Sequence, residues 1–174
     1  ASVSFDVGVP QAVMRTTIAT NTPEGAPSPL NEMYWSWNSG YRHFVFNFSV
    51  RDAEEATGGG YLHIGSRDCA PAGDAIALSD RESCTFVNTP AVSVASFDLR
   101  TNTVGVDLRA LVEGLDFVAP IYDPETFEVI GDGPGVECHS SPTQPDCGPI
   151  FGRFGLDMAT GAANASTNTV FVRM

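Results

Sequence analysis

The sequence predicts an all-β protein, an antiparallel β-sandwich with long disulfide-stapled loops and one or two short helices. Three observations carry that expectation. Residues 43–50 alternate cleanly, with Phe44, Phe46, Phe48 and Val50 on one face and His43, Val45, Asn47 and Ser49 on the other, the period-two pattern of a half-buried strand. Short runs with this character recur between turns rich in Gly, Pro, Asn and Ser, as in a sandwich of many short strands. Four cysteines, Cys69, Cys84, Cys138 and Cys147, form two local pairs inside Pro-, Gly- and Ser-rich loops. With no C-x-x-C, they read as two disulfides of an oxidising compartment and not as a zinc site. Spacing favours Cys69 with Cys84 and Cys138 with Cys147, while sequence alone permits the other pairings. Closing the first loop would contribute on the order of 3 kcal/mol.

In chain order, residues 4–7 and 13–19 read as strands, and 21–30, with Pro23, Gly25, Pro27 and Pro29, as a loop. Residues 33–37 are extended, 38–40 turn, and 43–50 form the alternating strand. Gly58-Gly59-Gly60 reads as a flexible turn before a short strand at 61–64, and 66–84 as an irregular Cys loop. Strands are expected at 85–87, 92–98 and 103–107, then a helix of one or two turns at 108–115. Residues 120–135 read as loop with one hairpin at 127–130, the Gly131–Gly135 stretch being a plain turn. A second Cys loop at 137–148 leads to a short helix at 149–156 and a last strand at 169–172. No repeat or linker divides the chain, so residues 1–174 are expected to form a single sandwich domain.

The chain carries 9 Lys+Arg, all of them Arg, against 21 Asp+Glu, a net charge of −12. Such a surface repels nucleic acid and anionic membranes, and no apolar run is long enough to span a bilayer. There is no G-x-S-x-G, H-E-x-x-H, P-loop or G-x-G-x-x-G after a strand. Glu54, Glu55, Asp123 and Glu125 read as solvated surface, and nothing selects a glycosidase pair among them. A hydrolase is therefore a distant third reading. Sequons stand at Asn47 and Asn164.

The most informative string is MYWSWNSGY, residues 33–41. In a strand Met33, Trp35 and Trp37 share one face, either a core stripe or the wall of a soft-metal site. Three histidines accompany it. His63 lies in a short apolar strand, where an inward imidazole needs a partner or a metal. His139 directly follows Cys138. His43 falls on the strand face opposite the Phe stripe, a position open to solvent. Met33 with one or two of these His residues makes a mixed N/S set suited to copper, especially Cu(I), and not to Ca²⁺ or Mg²⁺. The competing account of a Met-Trp stripe is core packing.

Several segments, in order along the chain, resemble the MbnP-like family of periplasmic copper-binding proteins, also described as four-Cys members of a metallo-mystery pair. They are VGVP (7–10), SPLNEMYWSWNSGY (28–41), GYRHFVFNF (40–48), YLHIGSRDC (61–69) and CHSSPTQPDCGPIFGRFGLD (138–157). The resemblance implies one copper ion held as Cu(I), and oxidation of the first Trp of W-x-W to kynurenine by a MauG-like di-haem cytochrome c peroxidase. It makes Trp35 the modified residue and His63 a ligand. An indole N–H offers no lone pair to a metal, whereas the opened ring exposes an aryl amine and a ketone. Related copper proteins with this modification carry a His two residues from the kynurenine. Here Met33 and Trp37 hold those offsets, which makes Met33 a thioether ligand.

The chain departs from the family pattern at His139, where Met is expected, and at His43, where an apolar residue is usual. It is also expected to lack the family's N-terminal strands, which precede VGVP. The expected function is a non-catalytic, periplasmic or extracellular Cu(I) protein using Trp35, His63 and a third ligand from Met33, His139 or His43. The alternative is a metal-free extracellular binding module, a subunit of a larger assembly, with W-x-W as core or docking surface.

Overall fold

The structure is a computed structural model that describes residues 1–8, 33–35, 40–54, 56–70 and 83–174. Its strands are β1 Ser2–Asp6, β2 Tyr34–Trp35, β3 Gly40–Arg51, β4 Thr57–Gly65, β5 Arg67–Ala70, β6 Ser83–Phe86, β7 Ala91–Ala95, β8 Val104–Val106, β9 Val118–Tyr122, β10 Val129–Pro134, β11 Val136–Cys138 and β12 Phe171–Arg173. Two short helices are described, α1 Leu108–Val112 and α2 Cys147–Arg153. The architecture is the expected all-β sandwich, built, among the described residues, from one four-stranded sheet in the order β11-β4-β3-β2 and four two-stranded ladders. All described pairings are antiparallel except that of β11 with β4, which is parallel. The strand expected at 13–19, the loop at 21–30 and residue Trp37 lie outside the described residues.

The Phe stripe behaves as its periodicity predicts. Phe44, Phe46 and Phe48 pack on a core that joins Leu62 and Ile64 of β4 to Leu111 of α1, Ile150, Phe151 and Phe154 of α2, and Val170. A smaller cluster of Val92, Val94 and Phe97 packs with Val3 and Phe5 across the β1–β7 ladder, and Phe171 touches both clusters. Helix α1 starts where Asp107 accepts a hydrogen bond from the Ala110 N–H, a side-chain cap on an otherwise unsatisfied donor. At its other end Arg153 donates to the carbonyls of Leu111 and Glu113, which ties the two helices together.

Four local expectations are corrected. Gly58-Gly59-Gly60 is strand, part of β4. Its glycines serve close approach and not a turn: a Cβ on Gly60 would stand 2.4 Å from the Phe48 ring, and one on Gly58 1.6 Å from the Pro134 carbonyl oxygen. Residues 131–134 are also strand, because β10 pairs with β9 over a bulge between Val129 and Gly131. The first Cys loop is not irregular throughout, since its ends pair as β5 and β6 with Cys69 opposite Cys84; Cys84 is disulfide-bonded. The second Cys loop opens with β11, and Cys138 bonds Cys147. No described helix is long and apolar enough to cross a membrane.

His43 is a further correction. It is 6% exposed and not on a solvent face. The register shifts between Arg42 and Phe44, so one extra residue enters β3 and the simple alternation fails there.

A paired-imidazole candidate metal centre

Strand β4 alternates strictly through the site: Leu62 and Ile64 are fully buried in the core, and His63 takes the other face. In the parallel ladder Cys138 is the partner of Leu62, so the next residue on each strand is His139 and His63. The Cys138–Cys147 disulfide and a hydrogen bond from the His139 N–H to Gln144 Oε1, 2.6 Å, fix the backbone there. Ser140, fully buried, clamps the junction: its hydroxyl donates to the His63 carbonyl at 3.0 Å and accepts from the Gly65 N–H at 2.9 Å.

The two imidazoles meet with Nδ1 of His139 2.9 Å from Nδ1 of His63. The outer nitrogens are occupied. His63 Nε2 lies 2.7 Å from Asn47 Oδ1, to which it donates, and His139 Nε2 lies 3.3 Å from Glu137 Oε1. An amide oxygen and a carboxylate favour protons on both Nε2 atoms, which turns both Nδ1 lone pairs inward. Two inward lone pairs at this distance need a shared proton or a metal cation between them. Burial, followed by the charges of His139 and Arg42, lowers the His63 pKa to about 4. Burial also lowers that of His139, with Glu137 opposing and Arg42 adding to the effect. Both rings are thus held in the neutral form that ligates metals.

The donor set fits a metal. At metal–nitrogen bonds of roughly 2.0–2.1 Å, two nitrogens 2.9 Å apart subtend about 90° at the ion, and acceptors behind each ring are the usual outer support of ligating histidines. Imidazole suits copper among several transition metals. No group of three or more His, Cys, Asp or Glu converges on one point among the described residues, so a complete shell requires further donors.

Of the residues singled out in the sequence, His63 and His139 are brought together. His43 is not with them: its Nε2 lies 3.0 Å from the Val87 carbonyl oxygen and 3.1 Å from Ser66 Oγ, and burial lowers its pKa to about 4 against that backbone bond. Met33 is half-buried. Trp35 pairs at backbone level with Gly40, five positions along β3 from Val45, the partner of His63. That is roughly 16 Å of strand. Asn47, Glu137 and Ser140 went unrecognised as site residues. The only signal for them was proximity in sequence, Glu137 and Ser140 to His139, and the alternation that places Asn47 beside Val45.

The centre opens on a cavity of about 570 Å³ whose wall includes His63, His139, Tyr61 and Tyr122. Fold and site together define a disulfide-bonded β-sandwich with a paired-imidazole centre at the mouth of an apolar cavity. The model of the MbnP family matches residues 1–128, and the chain belongs to that family. The match includes His63 and ends before His139. Among solved structures, MbnP from Methylosinus trichosporium aligns with a TM-score of 0.57 and 24% identity over 90% of this chain and 55% of that one. It shares the fold, and the present chain spans about half its length. No curated protein sequence matches significantly.

Proposed function

We propose that this chain is a non-catalytic Cu(I)-binding protein of the periplasm or extracellular space, with His63 and His139 as paired imidazole ligands. The observation that carries the reading is the inward convergence of two neutral Nδ1 atoms at 2.9 Å, each ring backed by an acceptor on its other nitrogen. Bound there, copper would gain soft-to-borderline donors, and the protein's own contribution is to hold both rings deprotonated and oriented. Membership of the MbnP family and the disulfide agree with a copper protein of an oxidising compartment.

The second half of the proposal adds Met33 and Trp35 as kynurenine as copper donors, the modification produced by a MauG-like di-haem cytochrome c peroxidase, for a role in copper scavenging, storage or transfer. It rests on the resemblance of the W-x-W segment. The ladder position of Trp35 opposite Gly40 makes it separable from the first half. Elemental analysis and peptide mass spectrometry of natively purified protein test both. Copper with an altered Trp35 peptide supports the whole proposal, copper with unaltered Trp35 leaves the imidazole pair alone, and loss of neither copper nor affinity in His63→Ala overturns the site.

A further inference from the structure

We propose that the cavity beside the imidazole pair is a binding site for a small organic cation with an apolar body, an aryl- or alkylamine. Its volume of about 570 Å³ falls in the range of roughly 300–1,000 Å³ typical of small-molecule sites. The walls are aromatic and aliphatic: Tyr61, Ile121, Tyr122 and Val136, with the His63 and His139 rings at one end. Among the described lining residues Glu137 is the one carboxylate, and none is Arg or Lys. Arg42 acts on the two imidazoles electrostatically but is not part of the wall.

The carboxylate is positioned and not merely present. Tyr122 donates its hydroxyl to Glu137 Oε2 at 3.2 Å, His139 Nε2 lies 3.3 Å from Oε1, and the Glu137 backbone N–H donates to Asp146 Oδ2 at 3.1 Å. The Glu137 side chain is 17% exposed, so a contact with a cation is shielded from water on most sides. The Tyr61 ring stacks over His139 at 6.2 Å and 26°, which leaves aromatic faces beside the carboxylate. A partly buried carboxylate flanked by aromatic rings is the chemistry that recognises ammonium groups, and the −12 net charge of the chain repels anions of the same shape. This site does not depend on copper.

Two probes with one apolar body and opposite charge test it on copper-free protein: 2-phenylethylamine and 3-phenylpropionate, titrated while the backbone NMR signals of Tyr61, Ile121 and Val136 are followed. The amine should shift these signals saturably and the carboxylate should not. Glu137→Gln should weaken the amine about tenfold, the loss of one charge-assisted contact. Ile121→Arg, on the exposed hairpin wall, should weaken the amine and admit the carboxylate. Equal response to both probes, no saturable response to the amine, or unchanged amine affinity in both variants would overturn the assignment.

Discussion

His63 and His139, 76 residues apart, meet Nδ1 to Nδ1 at 2.9 Å, and the backbone dictates the meeting. Leu62 and Cys138 are partners in the parallel ladder and both are fully buried. The period-two alternation of strands then turns the next residue of each chain to the opposite face, side by side. A core pair on one face thereby fixes an imidazole pair on the other.

Removal of either ring should abolish the convergence. His63→Ala and His139→Ala are each expected to lower Cu(I) affinity by at least about 100-fold, and Asn47→Ala, which removes the amide oxygen that accepts from the outer nitrogen of His63, by about 10-fold. Competition against a chromophoric Cu(I) chelator measures all three. Equal affinities in wild type and both His variants would remove the pair from the metal site.

His43 predicts an acid-labile fold. Its pKa falls from 6.5 to about 4 in the folded protein because burial outweighs the Val87 hydrogen bond. A depressed His pKa means that the unfolded chain binds the proton more readily. The stability is therefore fully present above pH 6.5 and is lost as pH falls toward 4, by on the order of 3 kcal/mol. His43→Gln, which keeps a donor near Val87 without a titrating ring, should reduce the slope of urea-midpoint profiles between those pH values and leave the share of His63, whose pKa burial also lowers to about 4. An undiminished acid slope in the variant would contradict the assignment.

The parts of the fold legible in the sequence are those governed by periodicity alone. Phe44, Phe46 and Phe48 face the core as their spacing requires, and the helix at Leu108–Val112 follows an Asp cap. Non-local pairing was not legible. Nothing near Glu137 announces a parallel partner at Tyr61, so the neighbour of His139 could not be read from its own loop. Alternation presumes an unbroken ladder, and the bulge between Arg42 and Phe44 breaks it at His43. The triple glycine misled for a related reason: flexibility is its common use, but here Phe48 and Pro134 occupy the space that side chains would fill.

Those glycines yield a packing test. Gly60→Ala sets a methyl 2.4 Å from the Phe48 ring, which can rotate away, whereas Gly58→Ala sets one 1.6 Å from the backbone oxygen of Pro134, which cannot move without β10. Gly60→Ala should cost about 1–3 kcal/mol and Gly58→Ala more, with the larger effect visible as increased hydrogen exchange in β10. Thermal unfolding of the two variants ranks them. The reverse order would show that β10 is free to withdraw.

The Cys138–Cys147 disulfide should serve the centre as well as the fold. It closes a loop with a sequence separation of 9, for which chain entropy gives about 2.7 kcal/mol. Its first cysteine is covalently adjacent to His139 and is fully buried in the core. Cys138→Ser with Cys147→Ser should therefore lower the urea midpoint and also release His139 from its position opposite His63. Because Ser140 and the Gln144 contact still hold the backbone, the weakening of Cu(I) should be smaller than in His139→Ala. The comparison separates anchoring from ligation: a double variant that unfolds less readily than expected yet loses copper as fully as His139→Ala would mean that the disulfide, and not the ladder with β4, sets the imidazole in place.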